Sequence, residues 1–274
     1  RVMGVRNGTC NYILTRMQSQ EKGYNALFDE CAELGYLEAD PNLDVGGIDA
    51  AHKLALLSSI AFGTKPNFDG IEIEGIQHIS LDDIHQAHDM GYRIKLLGLA
   101  QRTARGLEQR MQPCLVPSDS PLGQLEGGTN MVVIEGDAVE QVVLRGPGAG
   151  EGPTASAVMG DVCDLARGLQ IPTFGRPATS LEAAKPAVTG LPAPYYLRLG
   201  LLDKPGALAK VAAILGDAGV SIDRMRQYAH AESTAPVLIV THKTTRAALD
   251  VALDGFRETD VVAGAPVALR IEEV

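Results

Sequence analysis

RIKLLGLAQRTARGLEQRMQPCLV, residues 93–116, decides the fold of the larger part of this chain. Two strand-like runs, RIKLLGLAQR and LEQRMQPCLV, are parted by a few turn-forming residues around Gly106. A parallel crossover needs about a dozen residues or more, so runs this close should pair antiparallel. MVVIEGD (131–137) and EQVVLRG (140–146) repeat the arrangement. The region should therefore be a mixed α/β domain built on a largely antiparallel sheet.

Upstream, NYILTRMQ and ALFDECAELG space their apolar residues as helices do, which predicts two short helices within 11–34. YLEADPNLDVGG (36–47) is acidic and carries Pro and Gly, so a loop is expected. IDAAHKLALLSSIAFG (48–63) reads as a helix with Asp49 in its first turn and Gly63 at its end. It is apolar nearly all round, so burial is expected. A short strand and a polar helix capped by Ser80 should fill 71–92, and GPGAGEGPTASAVMGDVCDLARG (146–168) should be a glycine-rich turn feeding a helix.

The chain divides by composition into a domain over 1–175, a linker over 176–194 rich in Pro, Ala, Ser and Thr, and a second domain over 195–274. In the last, YYLRLGLL, DKPGALAKVAAILGDAG, VSIDRMRQYA, PVLIVTHK, TRAALDVALDGF and PVALRIEEV alternate strand and helix patterns as βαββαβ. That order is ferredoxin-like, so the fold class is α+β.

A net charge of −10 and scattered basic residues argue against nucleic-acid binding. No apolar run approaches the roughly 18–20 residues that span a bilayer. Cys10, Cys31, Cys114 and Cys163 form no CxxC pair, so neither a zinc site nor a disulfide framework is indicated, and a cytoplasmic location is expected. The chain opens on Arg1 almost in mid-pattern, which reads as part of a longer product.

GYLEADPNLDVGGIDAAHKLA (35–55) carries the chemistry. Glu38, Asp40 and Asp44 lie in the loop, and Asp49 and Lys53 share one face of the helix that follows. A capping and salt-bridge arrangement at a helix start is one reading of this cluster. The other is a pocket in which carboxylates hold an amino-acid ammonium while a desolvated lysine moves a hydroxyl proton.

NGTCNYIL (7–14), EADPNLDVGGIDAAHK (38–53) and GPGAGEGPTASAV (146–158), in that order, resemble homoserine dehydrogenases. The resemblance implies an NAD(P)H-dependent oxidoreductase of threonine, methionine and isoleucine biosynthesis. It would interconvert L-aspartate 4-semialdehyde and L-homoserine. It implies Lys53 and Asp49 as catalytic residues, with Glu38, Asp44 and Asp49 binding substrate. Gly150 would touch the cofactor, which is held mainly by a domain outside this sequence, so the chain by itself should not turn over. A monovalent cation would have its ligands upstream of Arg1. Cys10 stands where the family more often has Thr. LRLGLLDKPGALAKVAAILGDAGVSI (197–222) resembles the amino-acid-sensing ACT domain, which implies threonine as effector near Asp203, Gly206 and Ile222. A dimerisation unit without an effector site is the competing reading there. Self-association as a homodimer or homotetramer is expected.

Other residues are weaker candidates. GPGAG alone lacks GxGxxG spacing, and on sequence alone a tight turn is the favoured reading. His52 should point roughly 100° away from Lys53 around the helix and serve packing. His78, His85 and His88 read as surface residues, with no metal framework around them. Lys95 is a rival to Lys53, expected to be a strand residue with an exposed end. A non-catalytic amino-acid-binding regulator remains the alternative to an enzyme.

Overall fold

The computed structural model describes residues 1–37, 40–187, 190–227 and 234–274. The chain forms two compact units, the first running from Arg1 to Val188 and the second from Thr189 to Glu273.

In the first unit, β3 (Tyr92–Thr103) and β4 (Gly106–Pro117) pair antiparallel from Tyr92↔Pro117 to Thr103↔Gly106. β5 (Thr129–Gly136) and β6 (Glu140–Pro147) form a second antiparallel pair. β1 (Val2–Val5) joins the two pairs, bonding antiparallel to both β3 and β5. The order is therefore β6-β5-β1-β3-β4, and β2 (Glu72–Ile73) runs parallel to β4. The sequence reading did not assign β1. All its residues are buried, so it lacks the polar alternation that marks a strand, and its four residues are too short to show a period.

Helix α1 (Gly8–Gln20) starts before the expected position because Asn7 caps it, accepting from the Cys10 N–H at 2.8 Å. α2 (Tyr24–Glu33) follows and ends near Gly35, whose φ of +71° suits glycine. The expected acidic loop contains a short helix, α3 (Pro41–Val45). Asp40 caps it by accepting from Asn42 N–H at 3.1 Å, and Pro41 occupies the first helical position, where its missing N–H costs nothing.

α4 (Ile48–Phe62) lies between Gly47 and Gly63, both left-handed. It buries Ala50, Ala51, Leu54, Ala55, Ser58 and Ser59, a stripe of small side chains that permits close packing. The expectation of all-round burial fails here: Leu56 and Ile60 on the opposite side are 52% and 54% exposed. α5 (Leu81–Asp89) starts at a full capping box, with Ser80 and Asp83 satisfying each other's backbone N–H.

One core cluster packs Met3, Leu97, Leu99, Val116 and Val133 of the sheet against Leu122 of the loop after β4. Lys95 corrects another expectation. It is a strand residue, but only 3% of it is exposed, because the loop after β4 folds over it. Its ammonium donates to Asn11 Oδ1 at 2.9 Å and to the Leu125 carbonyl. Burial first, and neighbouring Arg93 second, lower its pKa to about 8, against the pull of Glu126. α6 (Glu151–Ala166) follows β6 and buries none of its residues. Residues 182–187, within the stretch read as a linker, attach to this unit through Thr64↔Glu182 and Leu107↔Pro186 bridges.

The second unit has the expected βαββαβ order: β7 (Tyr195–Leu202), α7 (Ala207–Asp217), β8 (Ile222–Gln227), β9 (Thr234–Thr241), α8 (Arg246–Glu258) and β10 (Val262–Ile271). Its antiparallel sheet is ordered β10-β7-β9-β8. Alternate residues Tyr195, Leu197, Leu199 and Leu201 of β7 point to one face and meet Val211, Leu215, Leu249 and Phe256 from the two helices. Burying each such side chain contributes roughly 1.5–3 kcal/mol before ordering costs.

Candidate active site

A cavity of about 160 Å³ opens where the start of α1, the loop before α3, the first turns of α4 and the loop after β6 come together. It is lined by Arg6, Asn7, Tyr36, Asp44, Asp49 and Lys53, and by the backbone of Gly8, Thr9, Gly128, Gly148 and Ala149. Four stretches far apart in sequence thus share one small polar hollow, large enough for a few non-hydrogen atoms and water.

Lys53 Nζ donates to Asp49 Oδ2 at 2.6 Å, one helical turn away. The side chains are 48% and 35% exposed, so the expected deep burial of the lysine is not seen. Its helix presents small residues to the sheet and this charged pair to the cavity. Asp44, by contrast, is 6% exposed. Asn7 Nδ2 donates to its Oδ1 at 3.1 Å, while the Asp44 carbonyl accepts from Cys10 Sγ at 3.3 Å. One asparagine therefore caps α1 through its oxygen and orients a buried carboxylate through its nitrogen. Thr9 Oγ1 donates to the Tyr36 carbonyl at 3.1 Å, which ties the helix start to the segment leading toward Glu38. Glu38 itself lies outside the described residues.

The backbone approaches closely on the remaining wall. A Cβ at Gly8 would sit 2.9 Å from the Gly128 carbonyl oxygen, and one at Gly148 would collide with the Asn130 side chain. The backbone contact favours glycine at Gly8, whereas a side chain at Gly148 would have to push Asn130 aside. Gly150, with φ of +116°, occupies the N-cap of α6, whose first N–H groups are open to an anion. Its neighbours Gly148 and Ala149 line the same cavity as Lys53.

Arg6 was missed by sequence reasoning. Its Nη1 donates to the Lys53 carbonyl at 2.7 Å, beneath the first turns of α4. Burial lowers its pKa to about 10, and Asp49 draws it back upward. Only its place as a charged residue ending an otherwise apolar strand could have flagged it. Asn7, Tyr36, Gly128 and Asn130 were likewise unassigned. Burial first, then Asp44, pushes the Cys10 thiol well above its ordinary value, so it serves as a neutral packing group here.

His52 stacks on Phe68 at 4.0 Å between ring centroids, consistent with packing. His78, His85 and His88 are exposed, and no group of three His, Cys, Asp or Glu residues among those described is arranged to hold a metal. In the second unit, Asp203 and Gly206 are exposed in the turn between β7 and α7, and Ile222 begins β8, half-buried. No described helix is long and apolar enough to cross a membrane.

Residues 1–163 match the family described as Homoserine dehydrogenase. The chain belongs to the homoserine dehydrogenase family. Residues 195–254 match the ACT domain family. Homoserine dehydrogenase of Pseudomonas aeruginosa is 38% identical over 287 aligned residues, which cover 99% of this chain and 64% of that protein. The crystal structure of a homoserine dehydrogenase from Thiobacillus denitrificans superimposes with a TM-score of 0.91 at 37% identity, covering 99% of this chain and 64% of the other. A hyperthermophilic archaeal homoserine dehydrogenase mutant in complex with NADPH matches with a TM-score of 0.51 at 29% identity, over 62% of this chain and 48% of that one. The chain thus spans 64% of the length of its curated homoserine dehydrogenase relative from P. aeruginosa.

Proposed function

We propose that this chain is the substrate-binding and regulatory portion of an NAD(P)-dependent homoserine dehydrogenase that interconverts L-homoserine and L-aspartate 4-semialdehyde. The observation that carries this reading is the Lys53–Asp49 pair at 2.6 Å, facing a small cavity walled by the start of α1 and the GPGAG loop.

When bound at that loop, a nicotinamide cofactor supplies the hydride acceptor or donor. This chain's residues do the rest. In the oxidative direction, Lys53 as the neutral amine takes the proton of the substrate hydroxyl as the carbon bearing it loses hydride; in the reductive direction, the resulting ammonium returns it. Asp49 holds Lys53 in place by the ion pair. The free N–H groups of Gly8 and Thr9 at the start of α1 suit the substrate carboxylate. Asp44 and Glu38 are assigned to the substrate ammonium, Asp44 already being oriented by Asn7. Gly150 is assigned to the cofactor.

Lys53→Ala tests the reading in the protein that carries this chain with its cofactor-binding partner. General acid–base catalysis contributes about 10²–10⁴-fold, and kcat should fall by that factor with the fold intact. Retained hydride transfer would move the chemistry elsewhere and favour a non-catalytic amino-acid-binding regulator. Residues 1–274 alone should show no turnover.

The second unit is assigned a regulatory role with threonine as its effector, bound at the start of α7 by Asp203 and Gly206, with Ile222 facing them. Calorimetric titration with L-threonine is the check: heat that persists unchanged in Asp203→Ala would remove that turn from consideration. Three buried free cysteines and one exposed one suit a reducing compartment, and we place the protein in the cytoplasm, as a homo-oligomer.

A further inference from the structure

A second hollow lies on the same helix α1, about two turns beyond the first. Its outer part, about 620 Å³, is lined by Thr15, Gln18, Arg93 and Glu126, and it narrows into a chamber of about 20 Å³ that reaches Lys95. Two polar atoms at this place are buried with no hydrogen-bond partner among the described residues: Thr15 Oγ1 and Arg93 Nη1. A buried donor left unsatisfied is costly, and is tolerated where a ligand or water completes it. Glu126 faces the same hollow from its exposed rim, yet no ion pair joins it to Arg93. A cation, a hydroxyl and a carboxylate lining one cavity match the two ends of a zwitterion.

We propose that this hollow is a second amino-acid site, in which Arg93 and Thr15 take the carboxylate of a small α-amino acid and Glu126 takes its ammonium. The neighbouring network gives the site a route to the first cavity. Asn11, one turn before Thr15 on α1, donates to the carbonyls of Gly127 at 2.7 Å and Leu125 at 3.4 Å, and accepts from Lys95. Gly127 lines the second hollow and Gly128 lines the first. An occupant that bears on residues 123–127 therefore bears on the wall facing Lys53. The lowered pKa of Lys95, with Arg93 among its causes and Glu126 opposing, agrees with these charges sharing one place.

Calorimetric titration of the 274-residue chain with L-alanine tests the proposal. A binding component is expected that weakens at least tenfold in Arg93→Met and at least threefold in Glu126→Gln, and that persists in Lys53→Ala and Asp203→Ala. Arg93→Lys, which keeps the charge, should recover part of the loss. Because Glu126 is exposed, its variant should fold normally and keeps the test decisive if Arg93→Met unfolds. The proposal is overturned if L-alanine binds with equal affinity with and without the Arg93 and Glu126 changes. It is equally overturned if binding is lost only in Lys53→Ala or Asp203→Ala, or if inorganic phosphate binds there and L-alanine does not. Hydrogen exchange at Leu125–Gly128 should slow on addition of L-alanine in the wild type and not in Glu126→Gln.

Discussion

Phe256 on α8 is fully buried and Leu165 on α6 is 63% exposed, although both belong to helices of ordinary length with apolar residues at helical spacing. The contrast lies in what each helix faces. In the second unit, α7 and α8 together cover one face of a four-stranded sheet, so every apolar stripe has a partner. In the first, α6 leaves Val158, Met159, Val162 and Leu165 all about half exposed or more, and β6 leaves Val142, Val143 and Leu144 open as well. A layer with no facing layer contributes little burial, so packing within this chain adds little to the stability of α6.

Substitutions can break or sharpen this contrast. Phe256→Ala should cost about 3–5 kcal/mol and unfold the second unit under conditions that leave the first intact, read as a separate denaturant transition. Lys95→Met in the first unit should cost about 2–3 kcal/mol, since it strands the Leu125 carbonyl and Asn11 Oδ1 in the core. The same variant exposes a pH dependence. Folded Lys95 titrates at about 8, below the ordinary value of 10.5, so between the two the unfolded chain holds more protons. The wild type should therefore gain stability relative to Lys95→Met as pH rises through that window, and show no such slope below it. If chemical denaturation gives parallel curves, the ammonium is not buried as described. Leu165→Ser should change stability by less than about 0.5 kcal/mol in this chain, the smallest effect of the set. A loss comparable to that of Phe256→Ala would mean that α6 is packed after all.

Much of the fold was legible because its signals are local. Gly63 and Ser80 bound their helices as read, and the short turns between β3 and β4 and between β5 and β6 forced antiparallel pairing. The misreadings have a common cause. β1, the buried Lys95 and the half-exposed Lys53 each depend on which distant segment lies against them, and no period in a single sequence carries that information. Arg6 was invisible for the same reason, since only the Lys53 carbonyl above it reveals its place.

The sequence by itself determined most of the helices, the pairing of β3 with β4 and of β5 with β6, and that Asp49 and Lys53 share a helix face, because all of these follow from spacing along the chain. Only the tertiary structure decided that Asn7, Asp44, Gly148 and Lys53 meet around one hollow and that Lys95 is sealed beneath a loop. Those facts depend on close approach between segments tens of residues apart, where packing and desolvation, not local periodicity, set the outcome.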